Sequence, residues 1–438
     1  MKLEFRHYAK ELLNIAMPII MGNLGFILIG AGDVLIAGRH STDTLAAVSI
    51  ATAIINCIMT FGIGLIASVS PILSNIRGEK KSAKKYFFPT IRFAMILAVI
   101  IMFAVLAVIP MIDLLHFEAK LVPAIKEYIF ITAFSVFGAY LHAALKEYLQ
   151  AFEIVFFPNL VTVICVFLNI ILNIIFVFGW GKIPSLGAVG LAIASFVVRY
   201  FMGFSLLIYC FAVMKFRNYH DKHYYGNLMK VGLPISLAIL VEFIAFNSIA
   251  VFMGRVSGVY AAAQNLVCTL TTVSFMVPLA ISNAIAVKVG FANGSRNYVE
   301  LRNYAIIGLL MSVGFMTCSA MVFSSIPEFL VRLFTKDVNL VRISIPVMYL
   351  LSLFQIFDGL QVSLAGIYKG IKKTKIVLIA NFIAYWLISI PVGYHFAFRK
   401  GYNLLGFWYG LAFAAIILCS IMLIMLKHYF NKLKLEFA

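Results

Sequence analysis

The sequence predicts an all-α integral membrane protein: twelve transmembrane helices in two pseudo-symmetric six-helix lobes around a central cavity. Three observations predict it. The 438-residue chain is 63% hydrophobic and only 12% charged, where a water-soluble protein carries about 25% charged residues. Apolar runs of bilayer length, about 20 residues each, follow one another from end to end. The first two helices of each half also match at an offset of 216 residues, and later stretches at a near-equal one. The alternating pattern of a membrane β-barrel is absent.

The apolar runs place spans, in order, at 12–37, 45–72, 93–112, 128–149, 156–179, 186–212, 231–253, 259–287, 303–326, 343–368, 376–398 and 404–426. The first run, Leu12 to Ala37, is too long for a signal-peptide core and lacks a small-residue cleavage pattern. The basic cluster from Arg77 to Arg92 separates the second span from the third. GWGKIPSLG, around Lys182, supplies turn chemistry between the fifth and sixth. The polar stretch KFRNYHDKHYYGN (215–227) parts the two halves, giving an N-terminal lobe over 1–215, a cytoplasmic linker over 216–230 and a C-terminal lobe over 231–438.

The repeat is ordered along the chain. Pro18 aligns with Pro234, Gly38 with Gly254, Arg39 with Arg255, Ser41 with Ser257 and Gly78 with Gly294. A unit of six helices returns the chain to the same side, so the halves are parallel repeats about an axis along the membrane normal. Two such bundles enclose a cavity that rocking opens alternately to each side, the mechanics of a transporter.

Orientation follows from the basic residues. With the N-terminus cytoplasmic, 24 of the 35 lie in inner segments and ten in outer ones, with Arg199 inside a span. This bias puts both termini on the cytoplasmic side of the cell (inner) membrane. It also explains the net charge of +18 without nucleic acid, because the charges are scattered over short loops that face lipid headgroups. The six cysteines form no metal spacing and read as small buried hydrophobes. His142 and His395, inside spans, read as packed side chains.

Three of the 17 acidic residues lie within spans and clear of their ends: Asp33, Glu242 and Asp358; Glu147 sits at the inner end of the fourth span. Each costs about 2.5–3.5 kcal/mol near the bilayer centre, and such residues face a wet cavity or a partner. Glu242 and Asp358 sit near mid-span in the C-terminal half, where they can share one site and hold Na⁺. Gln355 and Gln361, at i−3 and i+3, flank Asp358 on its face. Asp33 lies roughly 6 Å below the outer surface. Asn169 and Asn173, an i,i+4 pair at similar depth, complete with it a hard-oxygen set suited to a small cation or a proton relay. A minority of the 40 phenylalanines and 20 tyrosines would line the cavity and bind aromatic organic cations.

Four stretches carry a family resemblance: AMPIIMGNLGFILIGAGDVLIAGRHSTDTLAAVS (16–49), LNIILNIIFVFGWGKIPSLGAVGLAIASFVVRY (168–200), VGLPISLAILVEFIAFN (231–247) and LFQIFDGLQVSLAGIYKGIKKTK (353–375). In this order they resemble the MATE (multidrug and toxic compound extrusion) family, most closely its NorM-type branch, over essentially the full length. The resemblance implies a two-lobed exporter, functional as a monomer, that exchanges cytoplasmic drugs and dyes for external Na⁺ or H⁺ and needs no other cofactor. It implies cation or drug binding by Glu242 and Asp358, with Asp33, Asn169 and Asn173 as the polar set of the first lobe. The chain departs from the pattern at Asn23, at SPILSNIRGE (70–79), and at Asn173, where some branches carry a second aspartate. That last change points away from a purely proton-driven relay in the first lobe.

Rival functions fit less well. A lipid-linked oligosaccharide flippase needs a strongly cationic cavity, whereas the spans, clear of their ends, hold three acids against one arginine. An intramembrane enzyme needs a nucleophile–base pair or metal ligands at membrane depth, and no such arrangement is present in the sequence. A channel would show a repeated selectivity filter.

Overall fold

The structure is a computed structural model that describes residues 2–214 and 222–437. Among these residues lie twelve helices long and apolar enough to cross a membrane: α1 Phe5–His40, α2 Thr42–Gly78, α3 Ala83–Leu115, α4 Val122–Ala151, α5 Phe156–Phe178, α6 Gly187–Val213, α7 His223–Gly254, α8 Gly258–Gly294, α9 Tyr298–Ser325, α10 Val338–Gly370, α11 Thr374–Arg399 and α12 Asn403–Lys432. The twelve spans expected from hydropathy are therefore present, and most run beyond the apolar core at one or both ends. Helical hydrogen bonding continues where the side chains become polar.

Local sequence sets the element ends. Ser41 caps α2 by accepting the amide of Thr44 at 3.0 Å, and Ser257, 216 residues later, caps α8 by accepting the amide of Val259 at 3.3 Å. Asn297 and Asp337 cap α9 and α10 in the same way. Such caps satisfy amide donors that a helix start leaves open. Between α5 and α6 the chain turns through Gly179 at φ 86° and Gly181 at φ 61°, a region that side chains disfavour. The backbones of Trp180 and Ile183 close this turn as an isolated antiparallel bridge.

The helices form two compact units. One contains Pro18–Leu73 and Ser82–Ser236; the other contains Met1–Met17, Ser74–Lys81 and Leu237–Ala438. The partition differs from a linear cut at residues 216–230, because helix starts are exchanged. Residues 216–221 lie outside the described residues, and from Lys222 the expected linker is already helical. In the first unit the start of α7 is held by Tyr224, which shares a hydrogen bond with Thr90 of α3 at 2.8 Å. Ser236 donates to the carbonyl of Phe61 on α2 at 2.5 Å. In the second unit the start of α1 is held by Glu11, which pairs with Lys288 of α8 at 3.2 Å and accepts from Tyr304 of α9. In each half the change of unit falls at or next to an interior proline, Pro18 or Pro234.

Helix pairing repeats as the sequence does. In the first unit α4 makes its widest contact with α6 and also packs on α2 and α3; in the second, α10 packs on α8, α9 and α12. The inner ends of α2 and α8 cross reciprocally inside the second unit. A Cβ at Gly78 would fall on the carbonyl oxygen of Phe291, and one at Gly294 on that of Asn75. Asn75 locks the crossing: its amide donates to the carbonyl of Gly370 at 2.8 Å, and its side-chain oxygen accepts from Asn293 at 2.6 Å. Gly294→Leu therefore drives a side chain into backbone. It should lower the Tm of the detergent-purified protein by about 5 °C or more. Gly314→Leu, on the same kind of helix but with nothing within 4 Å of the added carbon, should leave it unchanged.

Candidate functional site

Each unit holds one polar cluster at membrane depth. In the first, α5 places Asn169 and Asn173 one turn apart on one face, both 0% exposed. Asn173 Nδ2 donates to Asp33 Oδ1 at 2.6 Å and to Asn169 Oδ1 at 3.1 Å. Ser195 of α6 reaches the other carboxylate oxygen, Oδ2, at 3.5 Å. One turn along α6, Arg199 donates to Ser135 of α4 at 2.7 Å and lies 3.6 Å from Met59 Sδ. Its guanidinium interacts electrostatically with Asp33, Tyr128 and Tyr140 without forming an ion pair.

Two atoms of this cluster are buried without a partner, Asn169 Nδ2 and Asn173 Oδ1. A buried polar atom left open costs on the order of 1–3 kcal/mol. The open acceptor, the Asp33 carboxylate and the Ser195 hydroxyl are all oxygens, the donor type that suits a hard monovalent or divalent cation. Among the described residues no three His, Cys, Asp or Glu side chains group as a metal site. A cation here would be held by one carboxylate with amides and a hydroxyl.

The second cluster joins α7, α10 and α11. The Glu242 carboxyl faces the side chains of Gln361 and Tyr385 and interacts with both. The Asp358 carboxyl, 5% exposed, interacts electrostatically with that of Glu242. Among the described residues no basic group forms an ion pair with either acid. Gln355 takes a different direction: its oxygen accepts from Ser319 of α9 at 2.8 Å, and its Nε2 is buried without a partner. Gln361 thus joins the carboxyl pair, and Gln355 joins α9 instead.

Aromatic rings wall this cluster. Phe246 lies 6.0 Å from Tyr385, 6.2 Å from Phe354 and 6.4 Å from Trp408, and Phe354 meets Trp408 edge-on at 5.5 Å. Trp408 is in turn fixed by donating to Gln264 at 2.9 Å. Tyr385 sits in a π-helical stretch, Ile383–Ser389, inside α11; such wide turns are frequent at functional sites. The neighbouring Trp386 donates to the carbonyl of Val241 at 3.1 Å and pins α11 against α7 beside Glu242. Sequence reasoning missed Ser195, Tyr385, Trp408 and Gln264. One signal was present: tryptophan occurs only three times in the chain, yet two copies, Trp386 and Trp408, fall within spans α11 and α12.

Comparison with known proteins agrees with this architecture. Residues 18–175 and 234–395 match the family model described as MatE, and the two starts lie 216 residues apart, the offset of the internal repeat. A probable multidrug resistance protein NorM of Bacillus subtilis is 26% identical over 428 residues, spanning 93% of this chain and 92% of that protein. Another of the same name, from Mesorhizobium japonicum, is 27% identical over 441 residues, spanning 96% and 93%. The crystal structure of a eukaryotic MATE transporter superposes with a TM-score of 0.88 at 18% identity, covering 99% of this chain and all of that one. At that identity the likeness establishes the fold.

Proposed function

This chain belongs to the MatE family and is a multi-pass membrane transporter, not an enzyme, and from that premise we propose that it exports cationic aromatic drugs and dyes in exchange for external Na⁺ or H⁺ by alternating access. The observation that carries the reading is the Glu242–Asp358 pair: two interacting carboxyls at membrane depth, without a basic partner among the described residues, walled by Phe246, Phe354, Tyr385 and Trp408. Two like charges close together repel, and a cation or proton between them removes that repulsion. An aromatic wall adds cation–π attraction for an organic cation. The same pair would then receive the coupling ion and the drug in turn, because two positive guests compete for it. The names of the NorM relatives, as multidrug resistance proteins, support the substrate class.

Asp33, Asn169, Asn173 and Ser195 would form a second ion position in the first unit. The basic-residue bias supports an inner-membrane location with both termini cytoplasmic. Exchange of one monovalent ion for one monovalent drug moves no net charge, so the ion's concentration gradient alone would drive it; each uncompensated charge would add about 2.3 kcal/mol per 100 mV. The test is dye efflux from vesicles containing the purified protein, run with a sodium gradient alone and then a pH gradient alone. Efflux driven by at least one gradient is the expected result, and failure of both, with the protein folded, would end the antiport reading.

A further inference from the structure

We propose that the groove between α9 and α12 binds an anionic phospholipid, its phosphate held by Arg302, Lys427 and Lys434 and its acyl chain lying along Leu309, Leu423 and Leu426. The groove exists because α9 and α12 each pack on α10 but touch one another only sparsely. It encloses about 460 Å³, and these six residues line it. The inference is independent of the transport reading above.

Charge and depth together select the occupant. The helix of α12 continues to Phe437, and it runs antiparallel to α9, so the start of one meets the end of the other. All three cations line the groove, Arg302 from α9 and Lys427 and Lys434 from α12, the two lysines about two helical turns apart. Among the described residues none of them has a hydrogen-bond or ion-pair partner, and no acidic side chain lines the groove. Three like charges around one small space favour an anion there, and an arginine fork with two lysines matches a phosphate diester.

Below the mouth the lining turns apolar. Leu309 lies seven residues beyond Arg302, and Leu423 eleven before Lys434, which is about 10 and 16 Å of helix. That is close to the depth of one leaflet of a hydrocarbon core about 30 Å thick. A soluble phosphate would use the mouth and leave the apolar floor unfilled, whereas a lipid uses both. Tyr298 and Phe430 meet edge-on at 6.2 Å beside the cations, at the level where aromatic side chains favour the headgroup region. The mouth lies on the side of both chain termini, where the excess of basic residues falls and where an anionic leaflet would attract them.

The experiment uses the full-length protein, purified and stripped of lipid, with native mass spectrometry and thermal unfolding as readouts. Phosphatidylglycerol should bind at one tight position and raise the Tm. Phosphatidylcholine, or inorganic phosphate at the same concentration, should do neither. Arg302→Gln/Lys427→Gln/Lys434→Gln should weaken phosphatidylglycerol binding at least about tenfold while its Tm in phosphatidylcholine matches the wild type. Leu309→Gln should weaken the lipid without creating phosphate binding. A control at another inner-surface cluster, Lys84→Gln/Lys85→Gln, should bind lipid as the wild type does. Wild-type lipid affinity in the triple variant, equal binding of phosphatidylcholine, or saturation by inorganic phosphate would each overturn the proposal.

Discussion

Asp358→Asn should reduce gradient-driven efflux of a cationic dye to the background of empty vesicles, at unchanged expression and Tm. The substitution keeps the size and hydrogen-bonding shape of the side chain and deletes its capacity for charge. Asp358 is enclosed on α10, and the group it interacts with electrostatically is the Glu242 carboxyl. If the carboxylate's contact with a bound cation contributes about as much as a hydrogen bond to a charged group, about 1.5–3 kcal/mol, losing it from the coupling step slows exchange by roughly 10- to 150-fold. The two carboxyls should act as one unit. Glu242→Gln alone should therefore cost nearly as much, and the double variant should cost little more than either single change, a strong departure from additivity. Initial rates of dye efflux from vesicles of matched protein content give the comparison. Near-normal efflux from Asp358→Asn, or purely additive losses, would remove the pair from the mechanism.

Much of the fold was written in hydropathy, because a helix crossing lipid must hide its backbone and show apolar side chains over a fixed length. The repeat was legible because turns and crossings tolerate few residues. Ser41 and Ser257 cap equivalent helices, and Gly78 and Gly294 meet at one crossing. Polar composition misled at residues 222–227: they look like a connector, yet they begin α7, with Tyr224 bonded to Thr90. The exchange of helix starts between the units could not be read, since nothing in a linear repeat tells which bundle a helix end will join.

The acids of the candidate site stood out because carboxyls are costly in lipid, while their neighbours did not. At about 100° per residue, Gln355 and Gln361 lie some 60° to either side of Asp358 and some 120° from each other. One can reach α7 while the other reaches α9, as Gln361 with Glu242 and Gln355 with Ser319 show. Tyr385 was hidden twice over. It is one of 20 tyrosines, and the π-helical turn around it changes the helical phase, so a period of 3.6 assigns it to the wrong face.

The polar cluster of the first unit makes the second large prediction, with opposite signs at two residues. Among the described residues Asp33 supplies the only carboxylate there, and Asn169, Asn173 and Ser195 supply neutral oxygens. Asp33→Asn removes the charge that would hold a cation, and the half-saturating concentration of the driving ion in the efflux assay should rise by about 100-fold or pass beyond measurement. Arg199 interacts with Asp33 without pairing to it and rests on Ser135, so it is a positive charge held beside the cluster, on the helical turn after Ser195. Two unit charges within roughly 10 Å at an effective dielectric near 20 interact by about 2 kcal/mol. The guanidinium therefore opposes any cation that enters. Arg199→Gln should lower the half-saturating concentration by roughly tenfold or more, whereas Arg199→Lys, which keeps the charge, should stay near the wild type. Asp33→Asn/Arg199→Gln decides between a charge effect and a packing effect. With no carboxylate left to hold the ion, relief of repulsion cannot restore tight binding. A double variant that regained wild-type ion dependence would show that the arginine acts through structure, and that the oxygens of this cluster are not where the ion binds.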